Sequence, residues 1–162
     1  MNLHRVHFLI VDDNIHAIDL VKTLLRGFGV VQFSEAQTID EAKRRLNLDA
    51  IDIVILDYLM GDEEGISLVK YLRTDPESPA PYVPIIMLSG HADRARVIAA
   101  RDVGADEFCV KPVTPTDMLK RIANVIDHPR PFIRCDGYSG PDRRRGDDPR
   151  YKGVERRRVR PT

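Results

Sequence analysis

Five polar residues in this chain stand directly behind short apolar runs, and together they have the chemistry to hold and receive a phosphoryl group. Asp12 and Asp13 follow "VHFLIV", Asp57 follows "IDIVIL", Ser89 follows "VPIIML" and Lys111 follows "DEFCV". Three carboxylates gathered at one rim repel by about 4 kcal/mol per pair at ~4 Å and an effective dielectric near 20. A raised carboxyl pKa, a cation, or both must offset that repulsion. The hard divalent cation that keeps several waters and takes one or two carboxylates plus a phosphate oxygen is Mg2+. Lys111 adds a second, mobile positive charge, and Ser89 a hydroxyl donor. An anion between Mg2+, Lys111 and Ser89 would meet the electrostatic demands of a transferring phosphoryl group. Asp57 can then be the nucleophile, because carboxylates form acyl phosphates in covalent catalysis.

Taken singly, each residue has a plainer reading. Asp13 or Asn14 could cap a helix, Ser89-Gly90 could be a turn, and Lys111-Pro112 could end a loop. Only their joint recurrence, each at its own strand end, points to a shared site.

The elements that must position them alternate along the chain. The runs at 6–11, 30–36, 51–56, 83–88 and 106–110 are rich in β-branched residues and nearly unalternating, as strands of a parallel sheet covered on both faces should be. Helical patterns lie between. Ile15, Ile18, Val21 and Leu25 repeat at helical spacing and stop near Gly27 and Gly29. Thr38 and Glu41 form a capping-box signature, and Ile66, Val69 and Leu72 share a face. A fourth helical segment ends at Gly104. The fifth opens with Thr114, Pro115 and Asp117, and Leu119, Ile122, Ala123 and Ile126 are its expected apolar stripe. Repeated β-α units with right-handed crossovers close most simply as a doubly wound α/β sheet, whose ligand chemistry sits at the carboxyl ends of the strands.

Composition agrees with a soluble chain of one domain and an appendage. The 162 residues are 43% hydrophobic and 31% charged, with a formal net charge of zero. That zero hides an asymmetry: residues 1–129 hold 14 Lys+Arg against 20 Asp+Glu, whereas 130–162 hold 11 against 5. Two cysteines, Cys109 and Cys135, suit a reduced compartment better than a disulfide scaffold. The N-terminal apolar run is too short for a signal peptide, and no stretch approaches the ~20 apolar residues that span a bilayer. The expectation is a cytoplasmic protein without membrane insertion.

"FLIVDDN", "IVILDYLM…EEG", "IIMLSG" and "GADEFCVKP" together resemble the receiver domain of two-component response regulators, the family of the chemotaxis response regulator, over roughly residues 3–128. The resemblance implies a flavodoxin-like sheet of order 2-1-3-4-5 with five helices, followed by an irregular C-terminal arm. It implies Asp57 as phosphoacceptor, and Asp12, Asp13, Asp57 and the backbone carbonyl of Leu59 as Mg2+ ligands. Ser89 and Lys111 would bind the phosphoryl group, and Phe108 would be the switch aromatic. A sensor histidine kinase, a phosphotransfer protein or a small acyl phosphate would be the donor. Ser89 would then move towards the phosphoryl group, Phe108 would turn into the vacated space, and a downstream protein would read the altered face of fourth helix, fifth strand and fifth helix. That is signalling by population shift rather than enzyme turnover, with at most self-phosphorylation and autodephosphorylation. Three departures stand out. Gly61 lies four residues after Asp57, where the family often has proline, and Asp62-Glu63-Glu64 follows, so this loop should be more flexible and more acidic. His91 lies two residues after Ser89, where side chains can influence phosphoryl lifetime, and Phe108 lacks the hydroxyl of the frequent tyrosine.

The expected boundary is a receiver domain over 1–129 and an Arg-rich extension over 130–162. The extension has only Phe132, Ile133, Cys135, Tyr138, Tyr151, Val154 and Val159 as sizeable apolar groups, too few for a core of its own. The chain is therefore read as a stand-alone receiver whose extension docks on its own domain or a neighbouring chain. Phe132, Tyr138 and Tyr151 are the candidate anchors, and Arg143, Arg144, Arg145 and Arg156–Arg158 the charge partners. A homodimer could form through the output face or the arm. The alternative is a nucleic-acid-binding regulator acting through the Arg/Tyr-rich tail. Asp142, Asp147, Asp148 and Glu155 interrupt that tail and argue against nucleic acid as its partner.

Overall fold

Alternate residues of a strand point to opposite faces, so a run that is apolar at every position needs cover on both sides. The computed structural model, which describes residues 1–91 and 93–144, provides that cover. Strands β1 (His7–Val11), β2 (Gln32–Ala36), β3 (Ile53–Asp57), β6 (Ile85–Ser89) and β7 (Glu107–Val110) form one parallel sheet in the order β2-β1-β3-β6-β7. In terms of the five core strands this is the expected order 2-1-3-4-5. The register sets Phe8 beside Ile53, Asp57 beside Leu88 and Ser89 beside Val110.

Five helices flank the sheet: α1 (Ile15–Gly27), α2 (Ile39–Leu48), α3 (Ile66–Thr74), α4 (Arg94–Val103) and α5 (Pro115–Asp127). Leu9, Val11, Val54, Leu56, Ile85 and Met87 face α2, α3 and α4. Phe8, Ile10, Ile53, Ile55, Ile86, Leu88 and Cys109 face α1 and α5. The caps do what their side chains allow. Thr38 Oγ1 accepts from Glu41 N at 3.1 Å, and Thr114 Oγ1 from Asp117 N at 3.1 Å. Asn14 rather than Asp13 caps α1, accepting from His16 N at 2.9 Å. The stripe of α5 differs from the expected one. Met118 and Ile122 are buried and Val125 packs beside them, while Leu119 and Ile126 are 38% and 37% exposed. Both sets fit helical spacing, and the approach of the sheet selects the one led by the pliable methionine.

Two short ribbons depart from the expected outline. Residues after Asp57 close into an antiparallel pair, β4 (Leu59–Met60) with β5 (Glu63–Glu64), rather than an open loop. Beyond α5 the arm is regular in its first part: β8 (Phe132–Cys135) pairs antiparallel with β9 (Tyr138–Pro141) across Asp136-Gly137. Gly137 has φ +79°, a conformation glycine adopts without a Cβ penalty. Arg145, Tyr151 and Arg156–Arg158 lie outside the described residues.

Candidate functional site

Parallel strands end at one rim, and the residues singled out there converge. Val11 ends β1, so Asp12 and Asp13 follow at the rim; Asp57 and Ser89 are the last residues of β3 and β6, and Lys111 follows β7. Lys111 Nζ stands 2.9 Å from Asp12 Oδ2 and 3.0 Å from Asp57 Oδ1. Ligand oxygens of Asp12, Asp13 and Asp57 lie within 4.8 Å of one another. Asp12 and Asp57 are buried and Asp13 is exposed, so the cluster opens to water on the Asp13 side.

The charges act on one another. Burial pushes the Asp57 carboxyl above its ordinary value; the hydrogen bond from Lys111 works against this, and the charges of Asp12 and Asp13 add to it. Burial alone would lower Lys111, yet its hydrogen bonds to Asp12 and Asp57 outweigh that and raise it. The ammonium is therefore held charged between two carboxylates.

Local backbone holds the rim in place. Tyr58 N donates to Leu88 O at 2.8 Å, and Lys111 N to Ser89 O at 2.8 Å, so the sheet pairing continues past each site residue. Gly65 N donates to Tyr58 O at 2.6 Å. A Cβ at Gly65 would meet Asp57 O at 2.2 Å, so glycine is what lets the ribbon fold back over the nucleophile candidate. Leu59 opens that ribbon, two residues after Asp57. Ser89 is buried, and its Oγ accepts from His91 N at 3.2 Å; His91 itself is exposed. Phe108 is half-buried and packs against the core on the α2–α3–α4 side. The Lys111–Pro112 peptide is cis.

Three carboxylate oxygens this close, with an exposed approach, suit a hard oxygen-seeking divalent cation, and the donor set fits Mg2+. Asp12, Asp13 and Asp57 would hold it, with the Leu59 carbonyl as the backbone ligand implied by the family resemblance.

At the opposite end of the sheet the arm meets the domain. Phe132 packs edge-to-face on Tyr82, with ring centroids 4.8 Å apart, and Arg73 lies 5.5 Å from its ring centre. Tyr138 is buried and its hydroxyl donates to Pro141 O at 2.6 Å. Arg143 pairs with Asp102 at 2.8 Å and covers the Tyr138 ring at 4.7 Å; Arg144 lies 3.6 Å from Asp142. Sequence reasoning missed the residue beneath them. Arg73 is 1% exposed and donates to Gly104 O at 3.0 Å, Pro81 O at 2.8 Å and Val83 O at 2.8 Å, and to Asp106 Oδ2 at 3.0 Å. Gly104, at φ +107°, admits the arm, since a Cβ there would meet Ser139 O at 2.8 Å.

Comparison with known proteins agrees with this geometry. Residues 8–123 match the response regulator receiver domain. Chemotaxis protein CheY-3 of Vibrio cholerae is 31% identical over 123 residues, covering 76% of this chain and 93% of that protein. The ycf27 protein of Cyanidium caldarium, named a probable transcriptional regulator, is 31% identical over 127 residues. That match covers 77% of this chain but only 48% of ycf27, so the chain spans about half of that relative. Among solved structures, a CheY-like receiver domain protein from Methanospirillum hungatei superposes with a TM-score of 0.67 at 27% identity, over 76% of this chain and 95% of that one. Vibrio cholerae CheY4 gives a TM-score of 0.67 at 28% identity, over 75% and 98% respectively.

A doubly wound sheet with an acidic rim and a lysine facing it defines the receiver class of signalling domains. The chain belongs to the response regulator receiver family of two-component systems.

Proposed function

We propose that Asp57 accepts a phosphoryl group and that the change this causes is read by a partner protein. The observation that carries the proposal is Lys111 Nζ seated between Asp12 and Asp57 within a cluster of three carboxylates. A carboxylate oxygen of Asp57 attacks phosphorus. The bond from phosphorus to the donor breaks, a P–N bond for a phosphohistidine and a P–O bond for an acyl phosphate, and the donor leaves with the electron pair. Lys111 balances charge on the incoming oxygens, and Ser89 Oγ, which accepts from His91 N, keeps its own O–H to donate to one of them. Mg2+, held by Asp12, Asp13, Asp57 and the Leu59 carbonyl, would neutralise phosphoryl charge that the carboxylates would otherwise repel.

The donor class is a sensor histidine kinase or a phosphotransfer protein, and the output partner is a protein. Phe108 is the group best placed to follow Ser89, because it lies on the neighbouring strand and is only half-buried. Among the described residues no helix is long and apolar enough to cross a membrane. Three of the arm's four described arginines are engaged at home, Arg143 with Asp102, Arg144 with Asp142, and Arg130 with the carbonyls of Asp106 and Asp142, while Arg134 is exposed. These contacts support a docking role for the arm over nucleic-acid binding.

Labelling with acetyl phosphate and Mg2+, in wild type and Asp57→Asn, tests the assignment. Wild type is expected to take an acid-stable, hydroxylamine-labile label that Asp57→Asn lacks. Equal labelling of both proteins would remove Asp57 as the acceptor.

A further inference from the structure

Helix α4 buries the fewest residues of the five helices. Ala100 is its one buried residue, whereas α3 buries Leu68, Val69, Leu72 and Arg73. Val97, one turn into α4, is 38% exposed. A helix with so little apolar grip depends on polar contacts at its ends for its position.

At its C-terminal end those contacts are with the arm, through the close approach of Ser139 O to Gly104 and the Asp102–Arg143 pair. At its N-terminal end the contact is Arg96. Its guanidinium carbon stands 5.4 Å from the ring centre of Tyr58, the residue next to Asp57. Asp93, the N-cap of α4, accepts from Arg96 N at 2.8 Å and also lies 3.5 Å from Arg96 Nε. The helix cap therefore aims the guanidinium at the ring. Arg96 Nη1 is buried and, among the described residues, has no hydrogen-bond partner. A cation brought to such a place, with one donor unanswered, needs another source of attraction, and the face of a buried aromatic ring supplies it.

Tyr58 cannot easily shift. Its N–H is bound to Leu88 O, its carbonyl to Gly65 N, and its side chain is buried in the core.

We propose that Arg96 is a positioning residue: seated on the Tyr58 ring, it clamps the first turn of α4 to the segment that carries Asp57 and Leu59. The clamp is a property of the unphosphorylated domain. Its bearing on phosphoryl transfer rests on the function proposed above. Helix α4 and the acceptor segment are thereby one mechanical unit, and a displacement of either is felt by the other.

Amide hydrogen exchange in the unphosphorylated full chain tests the clamp directly. Arg96→Ala is expected to speed exchange of the amides of residues 97–101 by about two- to fivefold, the range for loss of a partly exposed cation–π contact. Arg96→Lys should recover part of the protection. Tyr58→Phe keeps the ring and should match wild type, and Tyr58→Leu should match Arg96→Ala. In the Tyr58→Leu background Arg96→Ala should add nothing. Unchanged exchange in Arg96→Ala, or a full effect of it without the ring, overturns the proposal. Should Tyr58→Leu fail to fold, the Arg96→Ala, Arg96→Lys and Tyr58→Phe series still decides. The labelling rate of Asp57 with acetyl phosphate, expected to change by a similar factor in Arg96→Ala, reads the link to the site, and an unchanged rate refutes that link. If wild type takes no label, the proposed function fails, while the exchange series still decides the clamp.

Discussion

Replacing Asp57 by asparagine should make the unphosphorylated, metal-free protein more stable. Lys111 attracts Asp57 across 3.0 Å, which at an effective dielectric of 20 is about 5.5 kcal/mol. Asp12 repels it across no more than 4.8 Å, about 3.5 kcal/mol or more on the same scale. Asp13 adds a smaller repulsion because it is exposed and screened. These Coulomb contributions nearly cancel, which leaves burial of the carboxylate to decide the sign. Burial is also the largest influence on the raised Asp57 carboxyl. An amide of the same shape escapes that cost, and Lys111 keeps Asp12 as a partner. The expected gain is about 1–2 kcal/mol at neutral pH, or roughly 3–8 °C in Tm for a domain of this size. The pH dependence follows from the raised carboxyl. Its ionisation destabilises the fold fully above the folded-state pKa, and the penalty disappears as pH falls below the unfolded-state value. The advantage of Asp57→Asn should therefore be present at neutral pH and fade in acid. Mg2+ should close the gap from the other side by stabilising wild type more than the variant. Thermal and urea unfolding at several pH values, with and without Mg2+, measure all of this. A variant that melts at or below the wild-type temperature in chelator at neutral pH would refute the reasoning.

Lys111→Met should lower stability by about 2–3 kcal/mol at neutral pH by leaving Asp12 and Asp57 unneutralised; because the Lys111 pKa is raised, its contribution is full below the ordinary lysine value and lost as pH climbs through the folded one, as urea titrations would show. Arg73→Met should cost about 3–5 kcal/mol in chemical unfolding, since it strands Asp106 and three backbone carbonyls. Gly104→Ala combines a positive φ with a 2.8 Å contact to Ser139 O, so it should cost about 1–3 kcal/mol and expose residues 132–141 to limited proteolysis before the domain itself is cut.

The rim was readable because a polar residue that ends an unbroken apolar run marks a strand's carboxyl end without any knowledge of contacts. Asp57 and Ser89 differ from that reading only in closing their strands rather than following them. The first residues of several runs, such as the buried Val30 before β2, lie outside the ladder, because hydrophobicity reports burial and not pairing. The ribbon after Asp57 was hidden since two-residue strands carry no period, and its second strand is Glu63-Glu64. Docking of the arm was legible from Phe132 and Tyr138, but its hairpin was not, because no apolar periodicity accompanies the Asp136-Gly137 turn signal. Arg73 shows the limit most clearly. An arginine in an amphipathic helix reads as solvated, and what buries it comes from Pro81, Val83, Gly104 and Asp106, up to 33 residues away. Arg96 was unreadable for a similar reason, as its ring partner lies on a different element.

The Arg73 hub also bears on how this domain can be cut and joined. The stretch that matches the family stops at residue 123, within α5, whereas the aromatic cover of Arg73 is Phe132. A fusion trimmed to the family boundary would leave a guanidinium that is 1% exposed facing water on one side, with its carbonyl acceptors open to competing solvent. For chimaeras that transplant this receiver, the smallest portable unit runs through Asp142, whose carbonyl accepts from Arg130. Sequence likeness marks what the family shares, and here the last strands that seal the fold lie past that mark.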